Sequence, residues 1–152
     1  MKYFLIGLAT TFLISGCASK NAFSKLNMNQ KQEIAVENTR TGKIKNEFEV
    51  GGIFSAINLN GVYKKIDSKT IVFYISTYIK DENSDLEITL NGKKALSVKK
   101  LPKNNKYTYL SSLKNRWINN FLVTFSINKK EKINLIIKND KFTSGILNFP
   151  RE

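Results

Sequence analysis

The stretch Thr70-Ile71-Val72-Phe73-Tyr74-Ile75-Ser76-Thr77-Tyr78-Ile79 decides the fold class. Successive side chains of a strand point to opposite sides. Ile71, Phe73, Ile75, Thr77 and Ile79 therefore share one face, and Val72, Tyr74, Ser76 and Tyr78 the other. Both faces are largely apolar, which predicts a central strand covered on both sides. Residues 117–128 alternate in the same way, with Trp117, Asn119, Phe121, Val123, Phe125 and Ile127 on one face. This places Trp117 in the core. Ile133, Leu135 and Ile137 repeat the period, as do Leu86, Ile88 and Leu90, so these runs are half-buried strands.

Turn chemistry supports this reading. Asn91-Gly92 separates residues 86–90 from 95–98, and Asn60-Gly61 separates 53–59 from 62–66. Both pairs predict two-residue hairpins, whose turn residues tolerate positive φ. Gly51-Gly52 reads as a bulge or bend. Residues 101–107 carry Pro102 and Asn104-Asn105 and form a loop, and residues 111–116 supply a short helical turn before Trp117. A last strand around residues 142–149 ends at Pro150, which has no N–H to donate. About eight short strands with turns every 8–12 residues predict a single antiparallel β-sandwich, with a small β-barrel as the alternative.

The N-terminus follows other rules. Lys2 is followed by the uncharged run of residues 3–14, shorter than the roughly 20 apolar residues that span a bilayer. This is the form of a secretory signal peptide. Its cleavage region is Ile14-Ser15-Gly16-Cys17, and Cys17 is the sole cysteine of the chain. These four residues resemble the lipobox of bacterial lipoproteins. The resemblance implies that residues 1–16 are removed and that the Cys17 thiol carries a diacylglycerol thioether, usually with an acylated amine such as a palmitoyl amide. More than one acyl chain gives stable membrane anchoring. Ala18 is not the aspartate that retains such proteins at the inner membrane, so an outer-membrane address is favoured in a Gram-negative cell. Residues 17–32 are polar and read as the lipidated cysteine and a flexible tether, with the β-sandwich at 33–150. Lipobox and β pattern together resemble small envelope lipoproteins with immunoglobulin-like domains. The Cys–Trp–Cys framework of antibody domains is missing, so the likeness is to disulfide-free variants.

Composition narrows the chemistry. The 152 residues contain no histidine, which excludes Ser-His-Asp catalysis, and one cysteine, which excludes a disulfide scaffold. No catalytic set and no cofactor motif is present, so a non-enzymatic role is expected. Asp81, Asn83, Asp85 and Glu87 alternate like the opening of a calcium loop, but Leu86 and Gly92 stand where an EF-hand needs Gly and Glu. A cation held by these four residues is the alternative to a solvated acidic loop.

Net charge is +13 for the full chain and +12 once residues 1–16 are removed, and 22 of the 25 basic residues are lysine. Arginine is the better fork for bases and phosphates, so nucleic acid is not the expected partner. Lys93, Lys94, Lys99, Lys100, Lys103 and Lys106 are the candidate surface for an acidic glycan or glycolipid, with Tyr107 and Tyr109 as aromatic contacts. Lysines at strand ends also discourage edge-to-edge aggregation. The leading expectation is a lipid-anchored module that binds an envelope or host protein, by strand addition at a sheet edge in one mode.

Overall fold

The computed structural model describes residues 28–63, 66, 69–81, 85–128 and 131–150. The signal segment, the lipobox with Cys17, and Asn83 lie outside these residues. Among the described residues, nine strands form two antiparallel sheets. The first holds β1 (Thr39–Lys45), β2 (Val50–Asn58), β3 (Thr70–Ile79), β7 (Asn119–Ser126) and β6 (Ser97–Leu101), in the order β1-β2-β3-β7-β6. The second holds β5 (Lys93–Lys94), β4 (Glu87–Leu90), β8 (Ile133–Lys138) and β9 (Leu147–Phe149), in the order β5-β4-β8-β9. With β2 as strand A and lettering onward through C′ at β5, the sheets read A-B-E-D and C′-C-F-G. This is the immunoglobulin strand order, with β1 added outside strand A. The sheets do not close into a barrel. β5 and β6 are successive in the chain but belong to different sheets.

As expected, β3 is central, between β2 and β7. Its inward residues Ile71, Phe73 and Ile75 pack between the sheets with Phe54, Val123, Phe125, Leu135 and Ile137. Phe73 meets Phe149 and Phe125 edge-on, with ring centroids 5.0 and 6.1 Å apart. Its outward residues Val72 and Tyr74 lie in a second core with Ile57, Leu59, Leu122 and Leu110. That core is roofed by α1 (Gln30–Glu37), α2 (Leu59–Val62) and a 3-10 turn (Thr108–Leu110).

The helix α1 begins within the segment read as a tether, since Gln30, Lys31 and Gln32 are its first turn. Asn29 and Gln32 form a reciprocal capping box, a local device that period-two reading overlooks. Ala35 is fully buried and fixes α1 to the sheet.

Two hairpin expectations part ways. Asn91 and Gly92 have φ of 50° and 76°, as a two-residue hairpin needs. The strand after them is only β5, however, because Leu96 N–H donates to Thr124 O at 2.8 Å and carries the chain to the other sheet as β6. Asn60-Gly61 is not a hairpin turn but lies inside α2. There the Asn60 side chain donates to Thr70 O and accepts from Val72 N–H, both at 2.8 Å, and so acts as an extra rung beside β3. The bulge expected at Gly51-Gly52 is present: Ile44 pairs with Gly52 and Lys45 with Val50, leaving Gly51 without a register partner. The expected helical turn lies upstream of residues 111–116, at Thr108–Leu110.

Trp117 is not in the core and is 54% exposed. Its N–H is held by Asn115 Oδ1 at 2.8 Å in an Asx turn, the strand starts only at Asn119, and Ile118 takes the buried position.

Candidate functional site

β6 and β7 are hydrogen-bonded antiparallel neighbours, which two to five linking residues ordinarily suffice to join. Here the chain takes residues 102–118, with one 3-10 turn inside. Loops of that length in compact domains are uncommon and are usually either functional or linker segments. The loop is braced by hydrogen bonds within itself, and Gln32 Nε2 ties it to the domain by donating to Tyr109 O at 3.1 Å. Asn105 donates to Pro102 O at 2.8 Å and accepts from Tyr107 N–H at 2.9 Å. Thr108 Oγ1 donates to Lys103 O at 3.0 Å, and the Lys103 ammonium donates to the Arg116 carbonyl.

Of the clefts that border this loop, two carry basic side chains. One has a volume of about 360 Å³ and is lined by Lys103, Lys114 and Arg116, with Asn104, Asn115 and Asn120 among its polar groups. Asn120 sits on the outward face of β7 and is only 5% exposed, with its Oδ1 accepting from Ser76 Oγ at 2.9 Å. Arg116 lies over the Trp117 ring, 4.6 Å from its centre. The other cleft, about 270 Å³, is lined by Tyr63, Ile66, Lys106 and Tyr107. Tyr63 and Tyr109 share a hydrogen bond of 2.9 Å between their hydroxyls. Burial pushes the Tyr63 hydroxyl above the ordinary tyrosine range, and the bond and charges of Tyr109 and Tyr107 push it further. It stays protonated at neutral pH, the opposite of what a general base needs.

The structure divides the lysines singled out from sequence. Lys103 lines the larger cleft, and Lys106 lines the smaller one with its ammonium 5.0 Å from the Tyr107 ring centre. Lys93 and Lys94 are on the edge strand β5, where Lys93 pairs with Glu131 at 3.0 Å. Lys99 and Lys100 are adjacent on β6 and so point to opposite sides of the sheet. Tyr107 and Tyr109 are half-buried in the second core rather than free platforms.

Sequence reasoning missed Lys114, Arg116, Trp117 and Asn120. A signal was present: from Glu87 to the next acid, Glu131, the chain holds ten basic residues and no acidic one. Four carboxylates elsewhere are paired, in Lys80–Glu49, Lys93–Glu131, Lys138–Glu87 and Lys141–Asp81. Among the described residues Lys103, Lys114 and Arg116 form no ion pair. The candidate cation loop fares differently. Asp81 and Glu87 are each bonded to a lysine at 3.2 Å, and no group of three acidic or cysteine side chains converges among the described residues.

In comparisons with known proteins, no family model, no curated protein and no solved structure matches this chain.

Proposed function

We propose that this chain is a lipid-anchored protein of the bacterial cell envelope that works by binding, with loop 102–118 as its binding face and an anionic ligand as its target. The anchor rests on the lipobox reading of Ile14, Ser15, Gly16 and Cys17. The observation that carries the rest is the loop itself: it is long, fixed by its own hydrogen bonds, and bears Lys103, Lys106, Lys114 and Arg116 without one acidic residue. Such a field draws anions from a distance and rejects cationic partners. It favours an anionic ligand over the general protein surface first expected. The ligand is either an acidic glycan or glycolipid, or an acidic face of an envelope or host protein.

A photo-reactive amino acid placed at Lys114, in the full chain in living cells, tests this. A reproducible adduct from position 114 and none from exposed Ile146 supports the reading, and mass spectrometry of the adduct gives its class. Equal yields from both positions, or turnover of an envelope substrate by the purified protein, overturn it.

A further inference from the structure

We infer that the cleft lined by Lys103, Lys114, Arg116 and Asn120 is a site for an acidic saccharide, a sugar residue carrying a carboxylate or a phosphate; this rests on the binding role proposed for loop 102–118. The first argument is charge. Three cations without an ion pair among the described residues line one cleft, whereas the carboxylates of Glu49, Asp81, Glu87 and Glu131 engage lysines elsewhere. Arginine offers a planar fork suited to carboxylate or phosphate, and Lys114 adds a mobile point charge.

The second argument is neutral polarity. Asn104, Asn115, Thr108 and the nearly buried Asn120 also line the cleft. The Asn120 Oδ1 is occupied by Ser76 Oγ, and among the described residues its amide Nδ2 has no partner. A nearly buried amide facing a cleft is a group whose hydrogen-bonding capacity is left for an incoming acceptor. Sugar hydroxyls supply such acceptors.

The third argument is shape. A volume of about 360 Å³ exceeds what one oxyanion fills and falls in the range of small-molecule sites. Trp117 adjoins Arg116, which lines this cleft, and the residue is 54% exposed with the guanidinium over its ring. It offers the apolar face of a sugar ring an aromatic surface. Lys103, bonded to the Arg116 carbonyl, holds the two sides of the cleft in place before a ligand arrives, which lowers the ordering cost of binding.

Trp117 is the only tryptophan and lies against Arg116, so its fluorescence reports on the surroundings of that cleft residue. The full lipidated protein, in detergent micelles, is titrated with trigalacturonate, mannose 6-phosphate, maltotriose and inorganic phosphate. The expected result is a saturable change with at least one acidic sugar, none with maltotriose, and at least tenfold weaker binding of phosphate. Response to the uronate alone or to the phosphosugar alone fixes the anionic group and supports the site in either case. Arg116→Ala and Lys114→Gln are expected to weaken binding about tenfold each, the scale of a lost charged hydrogen bond. Lys93→Gln, on β5, is expected to leave it unchanged. Unaltered thermal unfolding of Lys114→Gln separates loss of a contact from loss of fold. Equal binding of maltotriose or phosphate overturns the inference, as does response only to anionic phospholipid vesicles or no response at all. A specific adduct from position 114 together with no sugar response overturns this inference and leaves the binding role standing.

Discussion

The ammonium of Lys103 donates to the backbone carbonyl of Arg116, joining the two ends of loop 102–118. The other hydrogen bonds of residues 111–118 are local, such as Leu113 N–H to Ser111 Oγ at 3.2 Å. Lys103→Met keeps the aliphatic stem and deletes the bond. The expected cost in global stability is small, about 0.5–1.5 kcal/mol, because the bond is exposed. The expected local effect is larger: faster amide exchange over residues 112–118 and lower fluorescence anisotropy of Trp117. Unchanged protection there means that the loop is held without Lys103.

Gly51 stands where no side chain fits. A Cβ at this position overlaps the ring of Phe142, which is itself buried between the sheets. The bulge at Gly51 lets the β1–β2 ribbon bend around that ring. Gly51→Ala is expected to destabilise the protein by about 1–3 kcal/mol, the usual cost of overpacking. Gly92→Ala has open space around it and tests backbone strain alone, since Gly92 has a φ of 76°. Chemical denaturation of both variants checks the pair. A Gly51→Ala loss no larger than a few tenths of a kcal/mol would mean that Phe142 moves aside freely.

The strands were legible because period two is a local signal. Ile71, Phe73 and Ile75 on one face and Val72 and Tyr74 on the other already implied layers on both sides of β3. What that outer layer consists of was not legible. α1 owes its start to the Asn29–Gln32 capping box and its place to Ala35, and neither shows in a strand pattern. Asn60-Gly61 misled because the Asn60 side chain found partners on Thr70 and Val72, a tertiary event. Trp117 misled because its alternation continues from β7 past the true strand start, where an Asx turn at Asn115 intervenes. The cleft was legible only in part. The acid-free run from residue 88 to 130 stands in the sequence, yet only folding brings Lys103, from one end of the loop, beside Arg116 at the other.

Cys17→Ala removes the thiol that the lipobox chemistry needs. The variant is expected to leave the membrane fraction, while the parent chain sediments with membranes in both low and high salt. Salt matters because the net charge of +12 after processing alone draws the domain to anionic membranes, and roughly 1 M salt screens that attraction to a Debye length of about 3 Å. A variant that still sediments in high salt would falsify the anchor.

The Tyr63 hydroxyl offers a test at alkaline pH. Burial raises its pKa first, then the hydrogen bond to Tyr109, then the charges of Tyr109 and Tyr107. In the unfolded chain the hydroxyl titrates near the ordinary value of about 10. Above that pH the unfolded state has released the proton and the folded state still holds it. The unfolded state then binds fewer protons, so stability falls as pH rises. The contribution is fully present below pH ~10 and is lost as pH climbs from there toward the raised folded-state pKa. Tyr63→Phe deletes the titrating group. It is expected to lower stability by about 0.5–1.5 kcal/mol at pH 8, where the hydroxyl pair is intact. Its denaturation midpoint is expected to fall less steeply than that of the parent chain between pH 9.5 and 11. Parallel pH profiles for the two proteins would show that Tyr63 titrates as an exposed tyrosine.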